Sequence, residues 1–177
     1  MVSETVREFG CVDILVNNAG IHIPGNTQEL LTADWDRVED VNLKGPFLAS
    51  KYAIPQLKKS EAGRIINIAS VHAFGGGNGP TYASSKAGLV NLTRDIAVEV
   101  AADNITVNAI CPGYIETPIQ DYLTQQQIED CKVKTPLPRL GTPRDIGRAT
   151  VFFASQDAEW ITGVALPVDG GWMAPVL

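Results

Sequence analysis

Apolar residues along this chain follow two different spacings. Val12 to Val16, Ile65 to Ile68, Ile105 to Cys111 and Val164 to Val168 are short runs that are apolar at most positions. Between them lie longer stretches whose apolar residues recur every three or four positions. Short continuous runs read as strands buried on both faces, and the spaced stretches as amphipathic helices.

Strand, helix, strand, helix, strand, helix, strand is the rhythm of a parallel sheet covered on both faces. Right-handed crossovers make it the C-terminal part of a doubly wound, Rossmann-like α/β fold. Residues 1–177 read as a single, incomplete domain of that kind, without repeats, low-complexity segments or an interdomain linker.

Local signals place the helices. Val2, Val6 and Phe9 form a stripe ended by Gly10, so the chain opens inside a helix. Thr32 is expected to cap the next one, with Asp34 and Asp36 in a first turn that favours acids. Its apolar side carries Trp35, Val38 and Ala49 and also polar Asn42, and Gly45-Pro46 is expected to kink it.

The helix from Pro80 to Ala101 is apolar on two sides, with Leu89, Leu92, Ile96 and Val100 on one and Ala83, Ala87, Val90, Ala97 and Ala101 on the other. Its second face meets either another helix of this chain or a helix of a second subunit. Thr142-Pro143-Arg144-Asp145 reads as a helix start, and Pro167 puts the last strand at a sheet edge.

Candidate chemistry concentrates between Arg64 and Lys86. The strand there ends at Ser70, a glycine-rich turn follows, and a helix beginning at Pro80 sets Tyr82 and Lys86 on one face at i and i+4. A hydroxyl, a phenol and an ammonium can thus converge. Tyrosine ionises near pH 10, and a fixed cation nearby is expected to pull that value down. Taken singly, Ser70 also reads as a helix cap, Lys86 as a solvated charge and Asn42 as a kink residue bonded to its own backbone.

Ser70, Tyr82-Ala-Ser-Ser-Lys86, Asn17-Asn18-Ala19-Gly20 and Pro112-Gly113-Tyr-Ile-Glu-Thr117 stand in the order and spacing of the short-chain dehydrogenase/reductase family, which the whole chain resembles. The resemblance implies an oxidoreductase that exchanges hydride between NAD or NADP and a small carbonyl or alcohol of the sugar, polyol or ketoacyl class. It implies Tyr82 as acid/base, Ser70 orienting the substrate oxygen, Lys86 lowering the Tyr82 pKa and holding the nicotinamide ribose, and Asn42 anchoring a relay water. Asn18, Ile115 and Thr117 would lie along the cofactor, and the family suggests a homo-oligomer. His72, two residues after Ser70, is a candidate for substrate contact or a solvated loop residue; His22 has no assigned role. The segment between Ser70 and Tyr82 is one residue shorter than is usual in the family, which bears on where Ser70 sits.

Charge and cysteines narrow the partners. A formal charge of −6 argues against nucleic acid or an anionic membrane. No apolar run reaches membrane-spanning length, and Cys11, Cys111 and Cys131 are odd in number and far apart, as expected of reduced cytoplasmic thiols rather than a disulfide or metal framework. Nothing before Asn17 resembles the glycine-rich turn that binds dinucleotide phosphates. The alternative expectation is therefore a truncated, catalytically inactive fragment acting as an interaction or oligomerisation module, because losing two or three charge-assisted hydrogen bonds costs roughly 3 to 9 kcal/mol.

Overall fold

Residues 1–176 are described by a computed structural model. Four parallel strands form one sheet in the order β1 (Ile14–Asn17), β2 (Arg64–Ile68), β3 (Thr106–Pro112) and β4 (Ala165–Val168). Each strand falls on one of the apolar runs. Pro167 sits on β4, at the sheet edge, opposite Cys111, where its missing N–H interrupts no second ladder.

Alternation along the strands divides the core. Ile65, Val107, Ala109 and Cys111 face α3 (Gly45–Leu57) and α4 (Pro80–Val100). Ile66, Ile110, Leu166 and Val168 face α6 (Pro143–Ala154), whose Phe153 is 1% exposed. Helices on both faces leave the carboxyl ends of the strands as the open rim.

The helix expected to kink at Gly45-Pro46 opens earlier. α2 (Thr32–Glu39) passes into a π-turn over Asp40–Lys44 and continues as α3. Pro46 has no N–H for the Asn42 carbonyl four residues back, and a widened turn relieves that mismatch. Asn42 is fully buried within the π-turn.

Two local expectations are corrected. Leu31, not Thr32, occupies the cap position of α2, and no side-chain cap bond forms there. α1 (Val2–Phe9) ends at Gly10 with φ 86°, yet of its stripe Val2 packs on the core while Phe9 is 76% exposed. Of the second face of α4, Val90 and Ala97 join the core beside the sheet and Ala87 and Ala101 are exposed, while α2, the π-turn and α3 of the same chain pack elsewhere on the helix, Leu43 against Gly88. α5 (Gln125–Lys134) is capped by Thr124, whose hydroxyl accepts from Gln127 N–H. Among the described residues no helix is long and apolar enough to cross a membrane.

Candidate active site

The sequence of β2 has one polar interruption, Asn67, and it anchors the interior beneath the rim. Asn67 accepts from Asn17 Nδ2 at 2.8 Å and donates to Thr93 Oγ1 at 2.9 Å, tying β1, β2 and α4 together. Beyond it Ser70, 5% exposed, turns the chain: its Oγ accepts from His72 N–H at 3.2 Å and caps the short 3-10 turn Val71–Ala73. The cap reading of Ser70 and its place in the site hold together.

α4 is capped by Gly79, whose φ of 78°, with an added Cβ meeting the Gly25 carbonyl at 3.2 Å, suits a residue without Cβ. Three residues on, Tyr82 borders the same cleft as Ile68 and Ser70 at the end of β2. One turn later Lys86 is 3% exposed; its Nζ donates to the Ile68 carbonyl at 2.8 Å and lies 5.7 Å from the Tyr82 ring centroid. The Ser70 hydroxyl is close enough to the Tyr82 phenol to favour its ionised form. The shortened segment before Tyr82 has thus not carried Ser70 away from it, and Lys86 is not a solvated charge.

Burial pushes the Tyr82 phenol above its ordinary value, and Ser70 offsets only part of that rise. This corrects the expectation that Lys86 pulls the phenol down. Burial also lowers the Lys86 ammonium to about 8. The Cys111 thiol beside it is fully buried and pushed up to about 12, which leaves it an inert core residue.

Asn42 bonds not to its own helix but to the opposite loop. Its Nδ2 donates to Ile21 O at 2.9 Å and to Ser85 Oγ at 3.1 Å, and its Oδ1 accepts from Ile21 N–H at 2.8 Å. The loop so held brings Gly20 against Lys86, where an added Cβ would lie 3.3 Å from Nζ and 3.5 Å from Asn42 Oδ1.

A cleft of about 550 Å³ opens at this rim, bordered by Asn18, Gly20, Ser70, Tyr82, Lys86, Ile115 and Thr117. Asn42 lies behind its wall rather than on its surface. α6 adds Ile146, Gly147 and Thr150, and the loop after β3 adds Pro118, Ile119 and Gln120. No periodic signal in the sequence marks those residues, because only the folding of α6 over the sheet brings them there. Among the described residues no group of three or more His, Cys, Asp or Glu is placed to hold a metal ion.

These residues fit the nicotinamide end of a dinucleotide. Lys86 makes one protein hydrogen bond among the described residues and has two further N–H groups, and Gly20 leaves open the space in front of it. The cleft also lies outside the carboxyl ends of parallel strands, where open α/β sheets bind ligands.

Known proteins resemble nearly the whole chain. A family model described as enoyl-(acyl carrier protein) reductase matches residues 1–173. A 3-oxoacyl-[acyl-carrier-protein] reductase of Thermotoga maritima is 39% identical over 172 residues, which are 97% of this chain and 70% of the relative. The ligand-free aldohexose dehydrogenase of Thermoplasma acidophilum superposes with a TM-score of 0.92 at 34% identity, over 98% of this chain and 72% of that one. A protein of Agrobacterium tumefaciens described as a 2-deoxy-D-gluconate 3-dehydrogenase, solved with bound NADP, gives 0.88 at 42% identity, over 92% and 68%.

Fold, rim and relatives define an oxidoreductase of the α/β class. The chain belongs to the short-chain dehydrogenase/reductase family and corresponds to the C-terminal portion of its fold.

Proposed function

We propose that this chain carries the reaction centre of an NAD(P)-dependent oxidoreductase acting on a small carbonyl or alcohol of the sugar, polyol or ketoacyl class. The observation that carries the reading is the meeting of Ser70, Tyr82 and Lys86 in one cleft at the carboxyl ends of the strands. When bound, the nicotinamide supplies or accepts the hydride. Tyr82 gives its phenolic proton to the substrate oxygen during reduction and takes one during oxidation, while Ser70 orients that oxygen by hydrogen bonding. Lys86 holds the nicotinamide ribose through its remaining N–H groups, and Asn42 fixes the loop in front of Lys86 and anchors the relay water. Asn18, Ile115 and Thr117 border the nicotinamide.

The test is titration with NADH and NADPH by fluorescence, followed by turnover of candidate carbonyls. Tyr82→Phe is expected to reduce kcat/KM by about 10²- to 10⁴-fold with cofactor affinity retained. Unchanged turnover in that variant would remove Tyr82 from the role.

A second reading, an interaction module without catalysis, is favoured by one feature. Among the described residues β1 pairs only with β2, and its Ile14 and Val16 are 45% and 40% exposed. Self-association is also supported by exposed Phe47, Leu48 and Tyr52 on α3. Sedimentation decides this part, and a monomer at all concentrations would exclude a homo-oligomer. Free Cys11, Cys111 and Cys131 support a cytoplasmic setting.

A further inference from the structure

The segment between β3 and α6 leaves the sheet and returns to it at one point. Tyr114 O accepts from Gly141 N–H and Gly141 O from Glu116 N–H, each at 2.9 Å, so residues 117–140 form a loop with pinned ends. Its later part is docked: Leu137 N–H donates to Gly170 O at 3.0 Å, and an added Cβ on Gly170 would lie 2.8 Å from Thr135 Cγ2. Its earlier part, residues 118–130, reaches the rim, where Ile119 and Gln120 border the large cleft.

One side-chain bond carries that earlier part to the facing wall. Tyr122 OH donates to Asn78 Oδ1 at 3.2 Å, and the Tyr122 ring centroid lies 4.7 Å from that of His22. Asn78 is itself tied to His22, whose Nε2 lies 3.1 Å from the Asn78 carbonyl. Among the described residues no other hydrogen bond joins residues 118–130 to the chain outside 115–135. The turn before Asn78 holds Gly75, Gly76 and Gly77, where an added Cβ would meet nothing, so that wall is loosely packed.

The bond stands between two cavities. His22, His72, Asn78, Tyr114 and Tyr122 border a small one of about 40 Å³ that Ser70 and Tyr82 also line. His22, Asn78, Tyr114 and Tyr122 border an outer one of about 310 Å³ as well. These shared residues are the partition, and within it Tyr122 and Asn78 come from different segments. Parting them joins the outer cavity to the one beside Tyr82.

We propose that Tyr122 and Asn78 form a latch, in which Tyr122 is a positioning residue that holds residues 118–130 to the facing wall and keeps this side of the site shut. The latch stands apart from any catalytic reading; its effect on turnover rests on the roles given above to Ser70 and Tyr82. A half-exposed hydroxyl bonded to a neutral amide contributes little net stability, so losing it is felt locally rather than by the whole fold.

Hydrogen exchange read by mass spectrometry on the protein without cofactor tests the latch. α5 has 10 residues, too few to stay helical once detached, so its amides report the opening. In Tyr122→Phe, which removes only the hydroxyl, residues 118–130 are expected to exchange about three- to tenfold faster while β2 and α4 keep wild-type protection. Asn78→Leu is expected to match it, and Asn78→Asp, which keeps an acceptor in place, to retain wild-type rates. Wild-type protection in Tyr122→Phe, or faster exchange throughout the chain, overturns the latch. Turnover is read with NADPH and the acetoacetyl thioester of N-acetylcysteamine. There Tyr122→Phe is expected to raise KM for the thioester at unchanged kcat, because Ser70, Tyr82 and Lys86 are untouched; a lower kcat at unchanged KM would place Tyr122 in the chemistry instead and overturn its positioning role. Faster exchange in a protein that turns over no carbonyl would leave the latch standing and remove the catalytic reading.

Discussion

Asn42 holds Ile21 by both backbone groups, accepting from its N–H at 2.8 Å and donating to its carbonyl at 2.9 Å, across 21 residues of chain. A single amide side chain thereby replaces the pair of bonds that a neighbouring strand would make. The loop it secures carries Gly20 to the face of Lys86. The π-turn and the cleft are coupled through this one residue.

Replacing Asn42 by Ala strips both Ile21 groups of their partner and removes a donor from Ser85. With the side chain fully buried, the expected cost is about 2 to 4 kcal/mol of unfolding free energy. Urea unfolding measures it, and cofactor affinity should fall with it as the Gly20 loop loosens. A midpoint equal to wild type would show that the loop is held by other contacts.

Gly20→Ala separates stability from binding. Its Cβ would sit 3.3 Å from Lys86 Nζ, on the cleft side, with no positive φ to strain the backbone. Thermal unfolding should therefore move little, while dinucleotide affinity drops about tenfold, equivalent to about 1.4 kcal/mol. Equal affinities would place the ribose elsewhere.

Lys86 makes a prediction in pH. Its folded-state value of about 8 lies below the unfolded 10.5, so the unfolded chain holds the proton more tightly. Through this group stability is lowest below pH 8 and rises as pH climbs toward 10.5, where no charge is buried. Lys86→Met removes that slope. Near neutrality the variant should be more stable than wild type by about 1 to 3 kcal/mol, after allowing for the lost bond to Ile68, and the gap should close in alkali. A gap independent of pH would show that the ammonium is not buried at a cost.

The raised Tyr82 value sets the expected direction of catalysis. A phenol protonated at neutral pH suits proton donation, so reduction should be favoured there and decline as pH rises through the phenol's range, while oxidation grows. Paired pH profiles of kcat/KM in the two directions test this. A reduction profile that falls already below neutrality would assign the proton to another group.

Asp145 anchors the start of α6. Its Oδ2 accepts from Thr142 N–H, Thr142 Oγ and Arg139 Nη1, each at 2.8 Å, and these hold its carboxyl well below the usual carboxylate range, Arg139 first. Its stabilising contribution is present above the unfolded carboxylate pKa and is lost as pH falls through the folded value. Asp145→Asn should lower the melting temperature at neutral pH and matter progressively less in strong acid.

Much of the fold was legible because strands of a covered parallel sheet carry continuous apolar runs, and each of the four strands lies on one, although only β2 and β3 are buried nearly throughout and Ile14 and Val16 of β1 stay exposed. Pro167 announced its edge position for an equally local reason, since a missing N–H is a property of the residue alone. Ser70, Tyr82 and Lys86 were readable as a group because a strand end followed by a helix start fixes their relative placement. Thr32 and Phe9 were misjudged, since a cap and a stripe are decided by what packs beside them.

What the chain's order determined was the parallel sheet and the short-range pairing of Tyr82 with Lys86, both set by backbone periodicity. Only tertiary structure decided that Asn42 reaches Ile21, that His22 and His72 share a cavity, and that burial outweighs the Ser70 hydroxyl at the Tyr82 phenol. Those outcomes depend on the solvent excluded by residues distant in the chain, and desolvation has no signature in local sequence.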